Sequence, residues 1–163
     1  MRHIVFITAL FISVNLFPQS PSNGYSPYDS YFGKGVYNND LNNYILVNTP
    51  KYSDIIFLLK DVYTGKTIRN EFIRRNSSFK LTGIPYGTYK FVYFSGVDWS
   101  NTKSMRNGQI RGGFTRNQSF SKSDKPKDWF SFETGYYGGY ELTLTQVING
   151  NLDTQPADEE DFF

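Results

Sequence analysis

The chain of 163 residues contains no cysteine, and its only histidine is His3. Without cysteine there is no disulfide to staple the fold and no thiol to carry a lipid anchor, so stability must come from burial and hydrogen bonding. Without histidine beyond position 3, Ser-His-Asp and Cys-His nucleophilic sites, His-based zinc sites and imidazole acid–base work are excluded from the rest of the chain. No phosphate-binding glycine loop is present, since Gly33-Lys34-Gly35 lacks the strand and helix that such a loop joins. After residue 17 there is no apolar run long enough to span a membrane, no long amphipathic helix and no internal repeat. Charge is nearly balanced: losing Arg2 with a leader takes the 17 basic residues to 16 against 15 acidic ones. A net charge so close to zero argues against nucleic acid as a partner.

What is present begins with a leader. Arg2 and His3 precede residues 4–17, an apolar stretch broken only by Thr8, Ser13 and Asn15. A transmembrane helix needs about 20 apolar residues, so this segment has the length of a signal-peptide core. We expect residues 1–19 to be a signal peptide, with cleavage near Gln19 or Ser20. The protein is then secreted or periplasmic, with no membrane span after leader removal. The remainder suits one domain with one core. Residues 20–42, rich in Ser, Asn, Gly, Pro and Tyr, read as a linker with one short strand near Val36. Residues 43–152 form the domain, and residues 153–163 an acidic tail.

The 13 Tyr and 15 Phe bias the chain toward strand. Tyr44-Ile45-Leu46-Val47 is a first strand. Ile55-Ile56-Phe57-Leu58-Leu59 is a continuous apolar run, as in a central strand buried on both faces. Residues 66–74 supply a third. Residues 77–94 then give two alternating strands around Ile84-Pro85-Tyr86-Gly87, which fits a type I turn and predicts a hairpin. Residues 97–128 read as a long insert after this central hairpin, poor in aliphatics. Lys103, Arg106, Arg111, Arg116, Lys122, Lys125 and Lys127 outnumber Asp98, Asp124 and Asp128 there. Partial strands are expected at residues 109–114 and near Ser119. Residues 129–133 and 140–146 resume the pattern, and Asn149-Gly150 signals a hairpin returning through Leu152. Short strands separated by turns indicate an all-β, antiparallel β-sandwich of about seven strands. The core residues are Ile55, Phe57, Leu59, Ile68, Phe72, Phe79, Leu81, Tyr89, Phe91, Leu142 and Leu144.

Residues 54–94 carry a resemblance. Ile55 to Leu59, the Asp61-x-x-Thr64-Gly65 turn, Phe79-x-Leu81 and Ile84-Pro85-x-Gly87-x-Tyr89 follow in the order seen in carboxypeptidase regulatory-like domains, which are prealbumin (transthyretin)-like sandwiches. The resemblance implies a prealbumin-like fold and a non-catalytic accessory module, commonly exported. The transthyretin-like hydrolases of purine breakdown resemble this fold but depend on histidines that this chain lacks. The leader, the Phe/Tyr content and Phe162-Phe163 resemble secreted proteins of the Bacteroidetes type.

No catalytic residue, metal ligand or cofactor is assigned. Asp98, Glu133 and Glu141 lie beside aromatics and could serve a carboxylate-dependent hydrolase, but they read better as solvated strand ends. For ligand binding the candidates are Trp99, Trp129, Tyr136 and Tyr137, with Tyr140 nearby, whose rings could stack on the apolar faces of sugars. Arg111 and Arg116 of the basic insert could meet an anionic polysaccharide or membrane surface, but the insert reads better as a solvated loop. The competing reading makes the Trp residues core or packing anchors for the long insert, because aromatic rings dominate cores. The acidic Asp158 to Asp161 run opposes the insert in sign and could dock on it, anchored by Phe162 and Phe163. The expected role is an exported binding or structural module, with another exported protein or a glycan as partner. The alternative is a carbohydrate-binding module.

Overall fold

A computed structural model describes residues 20–145 and 154–163. Its elements, in chain order, are a helical turn α1 (Asp29–Phe32) and strands β1 (Tyr44–Asn48), β2 (Asp54–Asp61), β3 (Thr67–Ile73), β4 (Ser78–Thr82), β5 (Gly87–Met105), β6 (Ile110–Ser123), β7 (Phe130–Phe132), β8 (Gly139–Thr143) and β9 (Thr154–Ala157), then a helical turn α2 (Glu159–Phe162). The protein is an all-β sandwich of two packed sheets, one in the order β4-β1-β8 and one in the order β3-β2-β5-β6-β9 with β7 beside the start of β5. Among the described residues all strand pairings are antiparallel except β1 with β8, which is parallel.

Strand alternation builds the space between the sheets. Ile45 and Val47 of β1, Leu81 of β4 and Leu142 of β8 point inward, as do Ile55, Phe57 and Leu59 of β2 and Tyr89 and Phe91 of β5. The Phe57 and Phe91 rings stack at 5.7 Å. Of the expected core residues, Phe79 is half-buried and packs against this core, and Phe72 belongs to a second one.

That second core covers the other face of the larger sheet, which explains why every residue from Ile55 to Leu59 is fully buried. Ile56, Leu58, Val92 and Phe94 point out of the sandwich and are roofed by Tyr28, Phe162 and the side chains of the β5–β6 arms. The lead-in expected as a linker thus lies on the sheet. Gly24 N–H donates to Phe72 O, Phe72 N–H to Tyr25 O, and Val36 N–H to Ile68 O, so this segment caps the open edge of β3. Val36 itself is in no strand.

The predicted hairpin at residues 77–94 is corrected. β4 pairs with β1, whereas β5 pairs with β2, β6 and β7, so the two strands lie in different sheets. The intervening residues cross the sandwich instead of turning within a sheet. Ile84 is fully buried in the core, and the Asn43 side chain donates to Ile84 O at 3.1 Å. Gly83 takes φ +64°, the left-handed conformation the crossing requires. Local alternation marks each strand but carries no information on its partner.

The insert is corrected as well. Residues 97–123 are the outer half of β5, the turn after it and all of β6, a single strand that runs through both expected partial strands. Past Ser95 the β5–β6 register shifts, and Asp98 and Asn117 both adopt positive φ, at 58° and 51°. A Cβ on Gly96 would lie 2.5 Å from Phe114 Cβ, so only glycine allows the arms to bend this closely. The bent ribbon folds over the outer face, where Trp99 meets Phe72 at 5.5 Å and Phe114 at 5.4 Å. Asn149, Gly150 and Leu152 lie outside the described residues. β8 and β9, on either side of them, belong to different sheets.

Candidate functional site

Of the aromatic ligand candidates, Trp99 is the clear correction. It is 4% exposed, its ring is held against Tyr28, Phe72 and Phe114, and its indole N–H donates to Asn101 Oδ1 at 2.7 Å. A ring with both faces covered cannot stack on a sugar. Trp129 is half-buried after a 3-10 turn (Pro126–Asp128), and its indole N–H is buried with no partner among the described residues. Tyr136 and Tyr137 stand in the β7–β8 loop, 72% and 68% exposed. The Tyr140 hydroxyl is tied to the Ser131 backbone. Trp99 and Trp129 therefore do not form one platform.

Arg111 and Arg116 are exposed on β6 but engaged locally. Arg111 donates to Thr102 O at 3.3 Å across the ribbon, and Arg116 pairs with Asp98 at the bend. That contact draws the Asp98 carboxyl below its usual range. Glu141 accepts from Asn48 at 2.8 Å on the outside of the smaller sheet. Glu133 is exposed in the β7–β8 loop, so the three carboxylates considered for hydrolysis sit on separate segments, two of them already bound. Among the described residues no group of three or more His, Cys, Asp or Glu could hold a metal ion, and no helix is long and apolar enough to cross a membrane.

The tail docks. β9 pairs with β6 from Phe120↔Ala157 to Ser123↔Thr154. Asp158 caps α2 by accepting from Asp161 N–H at 2.8 Å, and the Asp161 carboxylate accepts from Asp158 N–H in return. Phe162 is fully buried against Phe94, Phe120 and Tyr28. Phe163 stacks on Phe32 of the lead-in at 6.0 Å. The Glu159 carboxylate accepts from Arg106 N–H at the tip of the folded ribbon. Tail, ribbon and lead-in thus meet on one face.

This docking completes a basic pocket that sequence reading did not single out. Lys60, Lys90 and Lys122 extend from three adjacent strands on the outer face of the larger sheet. Lys60 is directly opposite Lys90, and Lys122 is opposite Val92, two residues further along β5. With Gly65, Val92, Ser123, Asp124 and Asp161 they line a cavity of about 140 Å³. Lys60 is 9% exposed and donates to the Asp161 backbone carbonyl at 2.8 Å. Lys122 donates to Asp161 Oδ1 at 2.8 Å. Burial, and then the charge of Lys90, bring the Lys60 ammonium down to about 8, with Asp161 partly opposing. The contact with Asp161 raises Lys122 and lowers Asp161. A sequence signal existed: Lys60 closes a run buried on both faces, and Lys90 interrupts a second such strand.

Comparison with protein family models, characterised proteins and solved structures found no match. The class established by the fold is a two-sheet β-sandwich, and function has to be argued from the chain's own chemistry.

Proposed function

We propose that this chain is an exported, non-catalytic accessory module with a binding or structural role in the periplasm or outside the cell. The observation that supports this reading most is the use made of Trp99. A scaffold buries its large rings, and Trp99 is spent on holding the folded ribbon against Tyr28 and Phe72. The leader-like residues 1–19 support export, and the lack of histidine and cysteine beyond them leaves few groups for catalysis. At a finer level we read the sandwich as prealbumin-like, after the carboxypeptidase regulatory-like domains. The Asp61-x-x-Thr64-Gly65 turn fits that likeness: Asp61 Oδ1 accepts from Tyr63 N–H, Thr64 N–H and the Thr64 hydroxyl. The partner is another exported protein or a glycan. Cell fractionation with mass spectrometry of the recovered chain tests the reading. We expect a periplasmic or extracellular species beginning near residue 20. A full-length cytoplasmic species would overturn it.

A second reading, a carbohydrate-binding module, is favoured by the exposure of Tyr136 and Tyr137 beside Gly138-Gly139. Affinity electrophoresis in polysaccharide gels checks it. Retardation lost in Tyr136→Ala/Tyr137→Ala supports it, and unretarded migration of the parent chain in every polysaccharide rejects it.

A further inference from the structure

Directly opposed like charges destabilise a sheet, yet Lys60 and Lys90 are register partners on two adjacent inner strands of the larger sheet, near the end of β2. Lys122 joins them from the next strand, and the three border one cavity. Where a local rule is broken inside an otherwise consistent fold, a functional site is the usual reason. The negative charge at hand only partly compensates. Asp161 Oδ1 is taken by Lys122 and Oδ2 by Asp158 N–H, while among the described residues Lys60 donates only to a backbone carbonyl. Lys90 has no ion-pair partner among the described residues. Asp124, exposed at the rim, and Asp158 also act on Lys122, and Arg106 acts on Lys60, so four cationic groups meet three carboxylates. The Ser123 hydroxyl is committed, accepting from Phe91 N–H at 2.9 Å and donating to Phe91 O.

We propose that the cavity between Lys60, Lys90 and Lys122 binds a compact oxyanion, either a phosphate or sulfate group or the carboxylate of an acidic sugar. Ammonium groups act as strongly hydrated point charges without the planar fork of arginine. The site therefore selects for charge and size more than for the shape of the anion. Asp161, carried in by the tail, fills one side and leaves the Lys90 side open. A ligand there would contact Lys90 and approach Lys60 and Lys122, relieving the repulsion between the opposed lysines.

The proposal deepens the binding role proposed above and rests on it. Amide correlation spectra of the full chain are recorded during titration with inorganic phosphate, inorganic sulfate or glucuronate, at ionic strength held constant with sodium chloride. We expect saturable shifts at the Gly65, Val92 and Ser123 amides. The most effective of the three anions identifies the group recognised. Lys90→Gln should raise the half-saturating concentration about tenfold, the loss of one charge-assisted contact. Lys122→Gln should also weaken binding, and unchanged Tyr44 and Ile45 amides will show that the variants remain folded. No saturable shift with any of the three, or a Lys90→Gln half-saturation equal to that of the parent, overturns the site. A failed titration of a correctly exported chain removes the pocket and leaves the module. Cytoplasmic retention removes the export reading and leaves the titration standing.

Discussion

The larger sheet presents two buried faces made in different ways. The inner face meets a second sheet, and its contacts are aliphatic and aromatic side chains alternating along short strands, such as Val47, Phe57, Leu81 and Phe91. The outer face meets no separate sheet among the described residues. Its cover is assembled from Tyr28 near one end of the described chain, Phe162 near the other, and Trp99, Met105 and Phe114 on a ribbon bent back over the strands. The inner face is held by regular backbone ladders on both sides. The outer layer is held by a dense group of rings, with Tyr28 within 6.0 Å of Phe162 and 5.1 Å of Phe163. Two short segments and a bent ribbon can therefore cover a sheet when large rings supply the contact area. Such a cover is attached segment by segment, so parts of it can open without unfolding the sandwich.

The contrast is sharpest between two phenylalanines. Phe57→Ala removes a fully buried ring from between the sheets and should lower stability by about 4 kcal/mol in urea unfolding. The transition should stay cooperative. Gly96→Ala tests the bend that brings the ribbon over the outer face. Its new Cβ would meet the buried Phe114 side chain, at a cost of about 2–3 kcal/mol by the same measurement. Phe162→Ala also empties a fully buried site, but the tail can leave the sheet, which limits the loss to about 2 kcal/mol. Hydrogen exchange should then quicken at Gln155 and Ala157 and remain slow at Phe57. Equal losses for Phe57→Ala and Phe162→Ala, with uniform exchange, would erase the distinction between the faces.

Per pH unit, the effect of titrating Lys60 is smaller still. The Lys60 ammonium titrates near 8 in the folded chain, against 10.5 for an unperturbed lysine, with Lys90, Asp161 and Arg106 as its charged surroundings. A depressed folded value means that the unfolded chain holds more protons between these two values. The Lys60 contribution is therefore complete above 10.5 and disappears as pH falls through 8. Stability should rise by about 1 kcal/mol per pH unit between pH 8 and 10, and Lys60→Met should flatten that rise. Above pH 10 the buried Tyr28 hydroxyl, whose ionisation burial opposes, acts in the other direction. The measurement is denaturant unfolding at stepped pH, and an identical slope in Lys60→Met would show that Lys60 is not the group responsible.

Legibility in the sequence followed the same division. The inner core could be read because period-two alternation is a local property: Ile55, Phe57, Leu59, Phe91 and Leu142 are where alternation places them. The burial of β2 on both faces was also legible, from an unbroken apolar run. The covering layer was not. Tyr28 sits in a polar, proline-containing stretch with no period, and its burial depends on Gly112 O, which accepts its hydroxyl at 3.0 Å from 84 positions away. The β6 strand was read in pieces because its residues 115–119 are exposed and carry no apolar pattern. Backbone pairing with β5 makes them strand. The lysine pocket was missed for a related reason: its members belong to three strands whose register no local signal sets.

The amino-acid sequence by itself determined an all-β sandwich, its inner core and the chemistry the chain lacks, because composition and alternation act within a few residues. It also marked the tail as a possible partner for the basic stretch through charge sign and two terminal aromatic rings. Only the tertiary structure decided that residues 83–86 cross between sheets, that the apparent insert is a bent extension of the sheet, and that Trp99 is a wedge and not a platform. It alone brought Lys60, Lys90, Lys122 and Asp161 together. Each of these depends on strand partners and sheet register, which arise from contacts between distant residues and leave no periodic trace along the chain.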